Sequence, residues 1–465
     1  SQAAKKGDYK YRTVKGGVEI TDYMGKDEDV KIPDRIDGKK VVGIGYEAFC
    51  DNKTIKKVTI PDTVEIIDEN AFEECVNLQE IRLPKNLKSI EDEAFTGSGL
   101  VQVDIPDSVG YLGSDAFYAC KNLKEVHLGE NIKIIEGGCF EKCTQLSSIN
   151  LENIEKIYWE AFKHDESITG VLNLDSVTTV GEQAFYGCAG IKEVNFSYRL
   201  KSLGYENPFA YCTGIEKFTI PDGNANYTCV DGVIYGKKDK SVVAWPAGRA
   251  EAAVLGRNVR KIYDYAFAGA HITSIAMEGQ VKYIGEKAFA KSMITQASMP
   301  LSGNSKKVQW CSGAFKECRM LVKVVFPDKS FSSNQICFHN CTSLREVVLP
   351  DTMTELSDGM FIGCTALESI TVPKLITKIP AACFYKCSGL KNINLGNISE
   401  IGALAFAHCS SLTGILSLNA QKIGVLSFEN CTNISEVRFT KPLSEILYGY
   451  ISRYRLGVSY RDVPE

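Results

Sequence analysis

The chain has 465 residues, 44% hydrophobic and 24% charged, with a formal net charge of −4. That is the composition of a folded chain. With no basic run or stripe it speaks against a nucleic-acid partner, and no apolar stretch approaches the ~18 residues of a membrane span. About three domains would be the ordinary expectation for this length, but an internal repeat overrides it.

Residues 1 to 45 stand outside the repeat. Ser1–Gly7 is polar and small, which suits the start of a mature secreted protein after removal of a signal segment. Tyr9–Val14 and Val18–Tyr23 alternate around Lys15-Gly16-Gly17 and predict a β-hairpin. Such a segment suits the atypical cap that the first coil of a stacked array needs. Val30–Pro33 and Val41–Ile44 read as parts of a degenerate first coil.

From there one phrase recurs, Ala-Phe-x-x-Cys. Residues 71–75 carry it cleanly, and further copies begin at Ala116, Ala184 and Ala405. Partial matches bring the phenylalanines to sixteen, from Phe49 to Phe428, spaced 22 to 26 residues apart except for one gap of 58. A fixed period above about twenty residues is the mark of a solenoid. Within one period, Leu78-x-x-Ile81-x-Leu83 has the spacing of a leucine-rich repeat strand. Ile81 and Leu83 point inward and Arg82 outward, because the strand period is two. Pro84 stops the strand, as Pro61, Pro106, Pro221, Pro327, Pro350 and Pro373 do elsewhere. Leu87 and Ile90 turn the chain back, and Ala94-Phe95 opens a short helical turn on the outer side. Each coil is thus expected to give one strand to a parallel sheet.

The long gap runs from Phe209 to Phe267. Val230–Tyr235 and Ser241–Pro246 flank a turn at Gly236–Lys240 and read as an inserted hairpin, with a coil lacking its phenylalanine. The insert is either an ornament on the stack or a projecting binding element, whose exposed aromatics would be Tyr227, Tyr235 and Trp245. A second pattern lies above the repeat. Residues 138–151 resemble 382–395, and 168–174 resemble 412–418, at an offset of 244. A block of several coils is therefore expected to be duplicated. After Phe439, residues 444–448 suggest a helix within a C-terminal cap or tail.

The chemistry-bearing residues fall into the same frame. Eleven of the seventeen cysteines sit three residues after a repeat phenylalanine, where other coils carry Ser98, Ala270 or Ser292. One fixed phase of a buried period is a core position, and free cysteine packs as a small hydrophobe. Reduced structural thiols are expected, not disulfides. The five histidines lie in different coils, and coils stack about 4.8 Å apart, so they do not share a site. Cys139/Cys143, Cys337/Cys341 and Cys383/Cys387 lack the further ligands of a zinc site. No cysteine has a base beside it in the manner of a nucleophile. No metal, cofactor or catalytic residue is assigned.

What remains is the outward mid-strand column. It reads Thr59, Arg82, Asp104, His127, Asn150, Asn173, Asn195 and Thr219, then Ala276, Ser298, Val325, Val348, Thr371, Asn394, Ser417 and Arg438. Solenoids bind through such extended surfaces, although Thr and Val also suit strands for their own sake. The candidate binding surface is Arg82, Asp104, His127, Asn150, Asn173 and Asn195, with Tyr227, Tyr235 and Trp245 at the insert.

The unit Ala-Phe-x-x-Cys-x-x-Leu-x-x-Ile-x-Leu-Pro-x-x-Leu-x-x-Ile, intact at residues 71–90, resembles the BspA-like (Treponema-type) leucine-rich repeat. The likeness spans roughly residues 44 to 440, and Asp231–Tyr235 resembles an insert seen in that family. The resemblance implies a bacterial protein, secreted or surface-anchored, adhering to host proteins or other cells, with no catalytic residues. No cell-wall anchor or lipid-attachment motif is visible. The expected fold is an α/β solenoid: a right-handed leucine-rich repeat superhelix with a parallel concave β-sheet, short helical turns outside and an N-terminal hairpin cap. Its expected divisions are 1–45, a solenoid over 46–440 with the insert at about 223–250, and 441–465. The expected function is extracellular binding of a protein or glycan on a host or neighbouring cell, without membrane insertion. The rivals are a carbohydrate-directed or enzyme-accessory module using the insert aromatics, and a structural spacer.

Overall fold

The coil is set by an alternation of hydrogen bonds on its outer side. In residues 70–75, the Asn70, Phe72 and Glu74 N–H groups donate to Asp92, Ala94 and Thr96 of the next coil. The N–H groups between them, of Ala71, Glu73 and Cys75, close tight turns onto Asp68, Asn70 and Phe72. Asn70 (φ 57°) and Glu74 (φ 54°) take the left-handed conformation that this alternation needs. Among the described coils the expected helical turn is therefore absent: every second donor is drawn to a neighbouring coil, and no helix can propagate. The same turns and positive φ values recur coil after coil.

The computed structural model describes residues 6–277, 281–298, 308–326, 330–332, 337–442, 444–447 and 459–461. They form a β-solenoid of stacked coils in two compact units, Ser1–Ile234 and Tyr235–Glu465.

Most described coils contribute two short parallel strands, where the spacing predicts one. In the first unit one ladder pairs Lys57–Thr59 with Glu80–Arg82, setting Thr59 against Arg82. The other joins Ile66–Ile67, Ser89–Ile90 and Tyr111–Leu112. Ile90, read as a turn residue, is the buried half of a two-residue strand. At the N-terminus β1 (Tyr9–Val14) and β2 (Gly17–Tyr23) form an antiparallel hairpin, and β2 pairs in parallel with Lys39–Ile44.

Between the ladders and the outer turns runs a column of phenylalanines. Rings of successive coils from Phe49 to Phe209 stack nearly parallel, from 4.8 Å (Phe49–Phe72) to 5.5 Å (Phe117–Phe140). This matches the strand repeat, and such pairs add about 0.5–1.5 kcal/mol each beyond area burial. The column starts in the hairpin: Tyr23 lies 5.0 Å from Phe49, and Tyr9 lies 5.3 Å from Tyr23. The thiols run alongside and do more than fill space. Cys75 Sγ donates to the Phe49 carbonyl of the coil before it (3.1 Å), and Cys143, Cys188, Cys387 and Cys431 repeat the bond at 3.0–3.1 Å.

The second unit repeats the plan. One ladder joins Ala253–Leu255, Ser274–Met277, Gln296–Ser298, Lys323–Val325 and Glu346–Val348. Its phenylalanine column runs from Phe267 to Phe428 and is prolonged by Trp245, whose ring stacks on Phe267 at 5.4 Å. The described part of the expected C-terminal helix is a strand: Glu445–Leu447 pairs with Lys422–Gly424. Ser459–Arg461 adds to Ile434–Phe439.

Candidate functional site

The outward column is real and in register. In the first unit Asp104 pairs with His127, and Asn173, Asn195 and Thr219 lie side by side. In the second unit Val254, Ala276, Ser298, Val325 and Val348 form one file. Val254 (58% exposed) and Val348 (42%) make this an apolar stripe facing solvent. The first unit's face is polar.

The candidate residues divide into those free to meet a ligand and those already used. Arg82, Asp104 and His127 are exposed, with Arg82 3.9 Å from Asp62. Asn150 is committed to the fold: its Oδ1 accepts from Leu128 N (2.7 Å) and its Nδ2 donates to Leu128 O (2.9 Å). It closes the sheet where the strand Ser148–Ile149 ends. Asn195 Nδ2 donates to Asn173 Oδ1 at 3.0 Å, an amide ladder on the surface.

The insert aromatics are not an exposed group. Tyr227 is buried, and its hydroxyl accepts from Leu203 N at 2.9 Å. Tyr235 is half-buried. Trp245 is 5% exposed because it fills the phenylalanine slot, with Arg249 5.3 Å from its ring. The coil that seemed to lack its phenylalanine has a tryptophan instead. The signal was present: Ala244-Trp245 precedes Ala266-Phe267 by 22 residues, one period. Asp231 (φ 49°) and Gly232 (φ 76°) have the left-handed pair of a two-residue hairpin turn.

One feature of the face was not anticipated. The ladder of mid-coil strands is interrupted several times, between Glu80–Arg82 and Gln102–Asp104 and between Glu346–Val348 and Ser369–Ile370 among other places, and two of its breaks correspond between the units. Ser148–Ile149 does not pair with Gly170–Leu174, nor Asn392–Ile393 with Gly414–Leu418. At both breaks a glycine with φ 73° opens the strand, Gly170 and Gly414, and a bulge follows it. Their N–H groups bond forward, to Gly190 and Asn433, instead of back. In the second unit the break is a groove of about 560 Å³. Its floor is Ile370, Ile393, Leu412, Leu416 and Ile434, and its rim is Ser369, Thr371, Lys391, Asn392, Asn394 and Thr413. Ile415, 51% exposed, follows the glycine. The sequence cue was Thr-Gly followed by Val or Ile at 169–171 and 413–415.

The chemistry available here is recognition. Burial pushes the column thiols up, Cys75 and Cys120 to about 12, so they are poor nucleophiles at neutral pH. All seventeen cysteines are free. Among the described residues no group of three or more His, Cys, Asp or Glu is placed to hold a metal, and no helix is long and apolar enough to cross a membrane.

Comparison with known proteins adds a family and a set of folds. The model of the BspA type leucine-rich repeat region matches residues 42–169, 155–229, 251–335, 308–435 and 414–451. No curated protein matches the chain. Among solved structures, a leucine-rich cell surface protein from Faecalibacterium prausnitzii is 23% identical, with 96% of each chain covered and a TM-score of 0.49. A leucine-rich repeat protein from Bacteroides ovatus is also 23% identical, covering 88% of this chain and 93% of its own, with a TM-score of 0.43. The pneumococcal vaccine antigen PcpA is 18% identical, covering 95% and 97%, with a TM-score of 0.45.

Proposed function

Because this chain belongs to the BspA-type leucine-rich repeat family, we propose that it is a non-catalytic binding protein of the bacterial exterior. It holds a protein of a host or neighbouring cell against the strand face of its coils. The groove at the broken ladder carries this reading: an apolar floor with a polar rim is the form of a recognition site. The file of Val254, Ala276, Ser298, Val325 and Val348, apolar at every position but Ser298, runs along the same face and exposes Val254 and Val348. A spacer would have no use for either feature. The carbohydrate-directed reading loses its support at the insert, since Tyr227 and Trp245 are packed inside.

The test is surface plasmon resonance of the intact chain against a panel of extracellular-matrix proteins and a glycan array. Val348→Glu and Ile415→Glu are run beside the wild type. The expected result is binding to a matrix protein that each substitution weakens at least about tenfold, with the melting temperature little changed. Binding to no protein of the panel, or equal binding by the variants, would overturn the proposal.

A further inference from the structure

On the turn side of the first unit, away from the strand face, one tryptophan is placed in a way the coil does not require. Trp159 is 48% exposed. Its indole lies flat over the backbone of Gly137 in the preceding coil, so close that a Cβ there would overlap the ring carbons. One ring face is thus fixed against the chain and the other is presented to solvent. The duplicated block shows that the fold does not need this pair. There the same coil positions hold Ala403 and Ala381, and the flanking strands Lys378–Ile379 and Glu400–Ile401 form as Ile134–Ile135 and Lys156–Ile157 do.

The chain indicates what an outward aromatic on this side attracts. Lys142 lies 4.8 Å from the Tyr118 ring, Lys163 5.0 Å from Tyr186, Lys287 5.3 Å from Tyr265 and Lys386 5.2 Å from Tyr385. Among the described residues no cation lies over Trp159, although indole is the best platform of the aromatic side chains. The surroundings are negative. Glu136 precedes Gly137, and Asp115 packs its carboxylate against Gly138. Asp92 accepts from Tyr111 Oη and Ser114 N, both at 2.9 Å. Glu160 is balanced by Lys163 at 2.7 Å, but Asp92 and Asp115 have neighbours of their own sign. Burial and the charges of Glu93 and Asp92 push Asp115 up to about 6, and burial with Asp92 pushes Glu136 up.

We propose that Trp159, fixed on Gly137, and the carboxylates of Asp92, Asp115 and Glu136 dock an arginine-rich segment of a partner protein. A guanidinium stacks on the exposed indole face with Glu136 and Asp115 flanking Gly137 beneath it, and a second arginine of the segment meets Asp92, two coils further back. Arginine suits the site better than lysine because its planar cation stacks and bonds bidentately at once. A neutral sugar would also stack on indole, but it would leave the crowded carboxylate charge uncompensated.

The test is fluorescence anisotropy of labelled nona-arginine, nona-lysine and nona-glutamate peptides with the intact chain at low salt, beside a glycan array. Trp159→Ala removes the platform, and Gly137→Ala displaces it while keeping the indole. Neither changes the net charge, and circular dichroism confirms that both fold. Nona-arginine is expected to bind more tightly than nona-lysine, with each substitution weakening it about threefold or more. Glu136→Gln should weaken it less. If both platform variants bind nona-arginine like the wild type, the attraction is charge alone and the proposal fails. It fails equally if Trp159-dependent binding appears only with a neutral glycan.

Discussion

Residues 138–196 and 382–439 are two versions of one block, and their differences separate what the coil requires from what it tolerates. Their strands correspond: Ser148–Ile149 to Asn392–Ile393, Gly170–Leu174 to Gly414–Leu418, Ile191–Phe196 to Ile434–Phe439. Both bulge after a glycine at φ 73°. Both turn an asparagine amide back on the preceding coil, Asn150 on Leu128 and Asn394 on Val372. Outward residues diverge: Trp159 against Ala403, Asn173 against Ser417, Asn195 against Arg438. A stacked coil constrains whatever its neighbours touch and leaves the rest free. One buried position breaks this rule. Where the second block has Cys409, whose Sγ donates to Phe384 O at 3.1 Å, the first has Asp165.

The largest expected effect tests the shared interior. Phe162→Ala and Phe406→Ala each remove a ring stacked on both sides. Each should cost about 3–5 kcal/mol, and thermal unfolding should show losses of similar size. A much smaller loss in one block would mean that the column is not equally tight in both.

Asp165 sharpens the contrast next. It is 0% exposed, and neither of its oxygens reaches a hydrogen-bond partner. Burial pushes its carboxyl well above the usual range. Such a site favours the neutral carboxyl over the carboxylate. Since the folded value exceeds the unfolded one of about 3.9, this stability is complete below about pH 4. It declines at about 1.4 kcal/mol per pH unit as pH rises toward the folded value. Asp165→Cys should therefore stabilise the chain at pH 7, with the gain shrinking as the pH falls toward 4. Cys409→Asp should do the reverse in the second block. Melting curves from pH 4 to 8 decide it; a pH-independent difference would mean that Asp165 stays ionised.

The period, the phenylalanine column and the thiol phase were legible in the sequence because a buried stack demands the same residue at every turn. The second strand found in most coils was not. A two-residue strand such as Ser89–Ile90 shows no alternation, and its bonds come from neighbouring coils. The helical turn after Ala94 failed for the same reason, its donors being shared between coils. At the face, the file of outward residues could be read by counting, but the groove could not, because it depends on a pairing that is missing. Trp159 and Gly137 are 22 residues apart, and only stacking makes them one feature. Trp245 was misplaced through taking tryptophan as a surface anchor where the period needed an aromatic core.

The smallest expected effect concerns the asparagines, and it decides whether one candidate site residue belongs to binding or to folding. Asn150 and Asn394 each make two hydrogen bonds to the backbone of the preceding coil, at 2.7–3.0 Å. Asn173 bonds only to another surface amide, Asn195. Removing the bidentate amide leaves a backbone N–H and C=O unpaired at the partly covered end of a strand, which costs about 1–2 kcal/mol. Asn150→Ala and Asn394→Ala should lower stability by that amount, whereas Asn173→Ala should stay within about 0.5 kcal/mol. Urea unfolding of the three variants resolves the difference. Equal, near-zero losses would return Asn150 to the pool of residues free to meet a ligand.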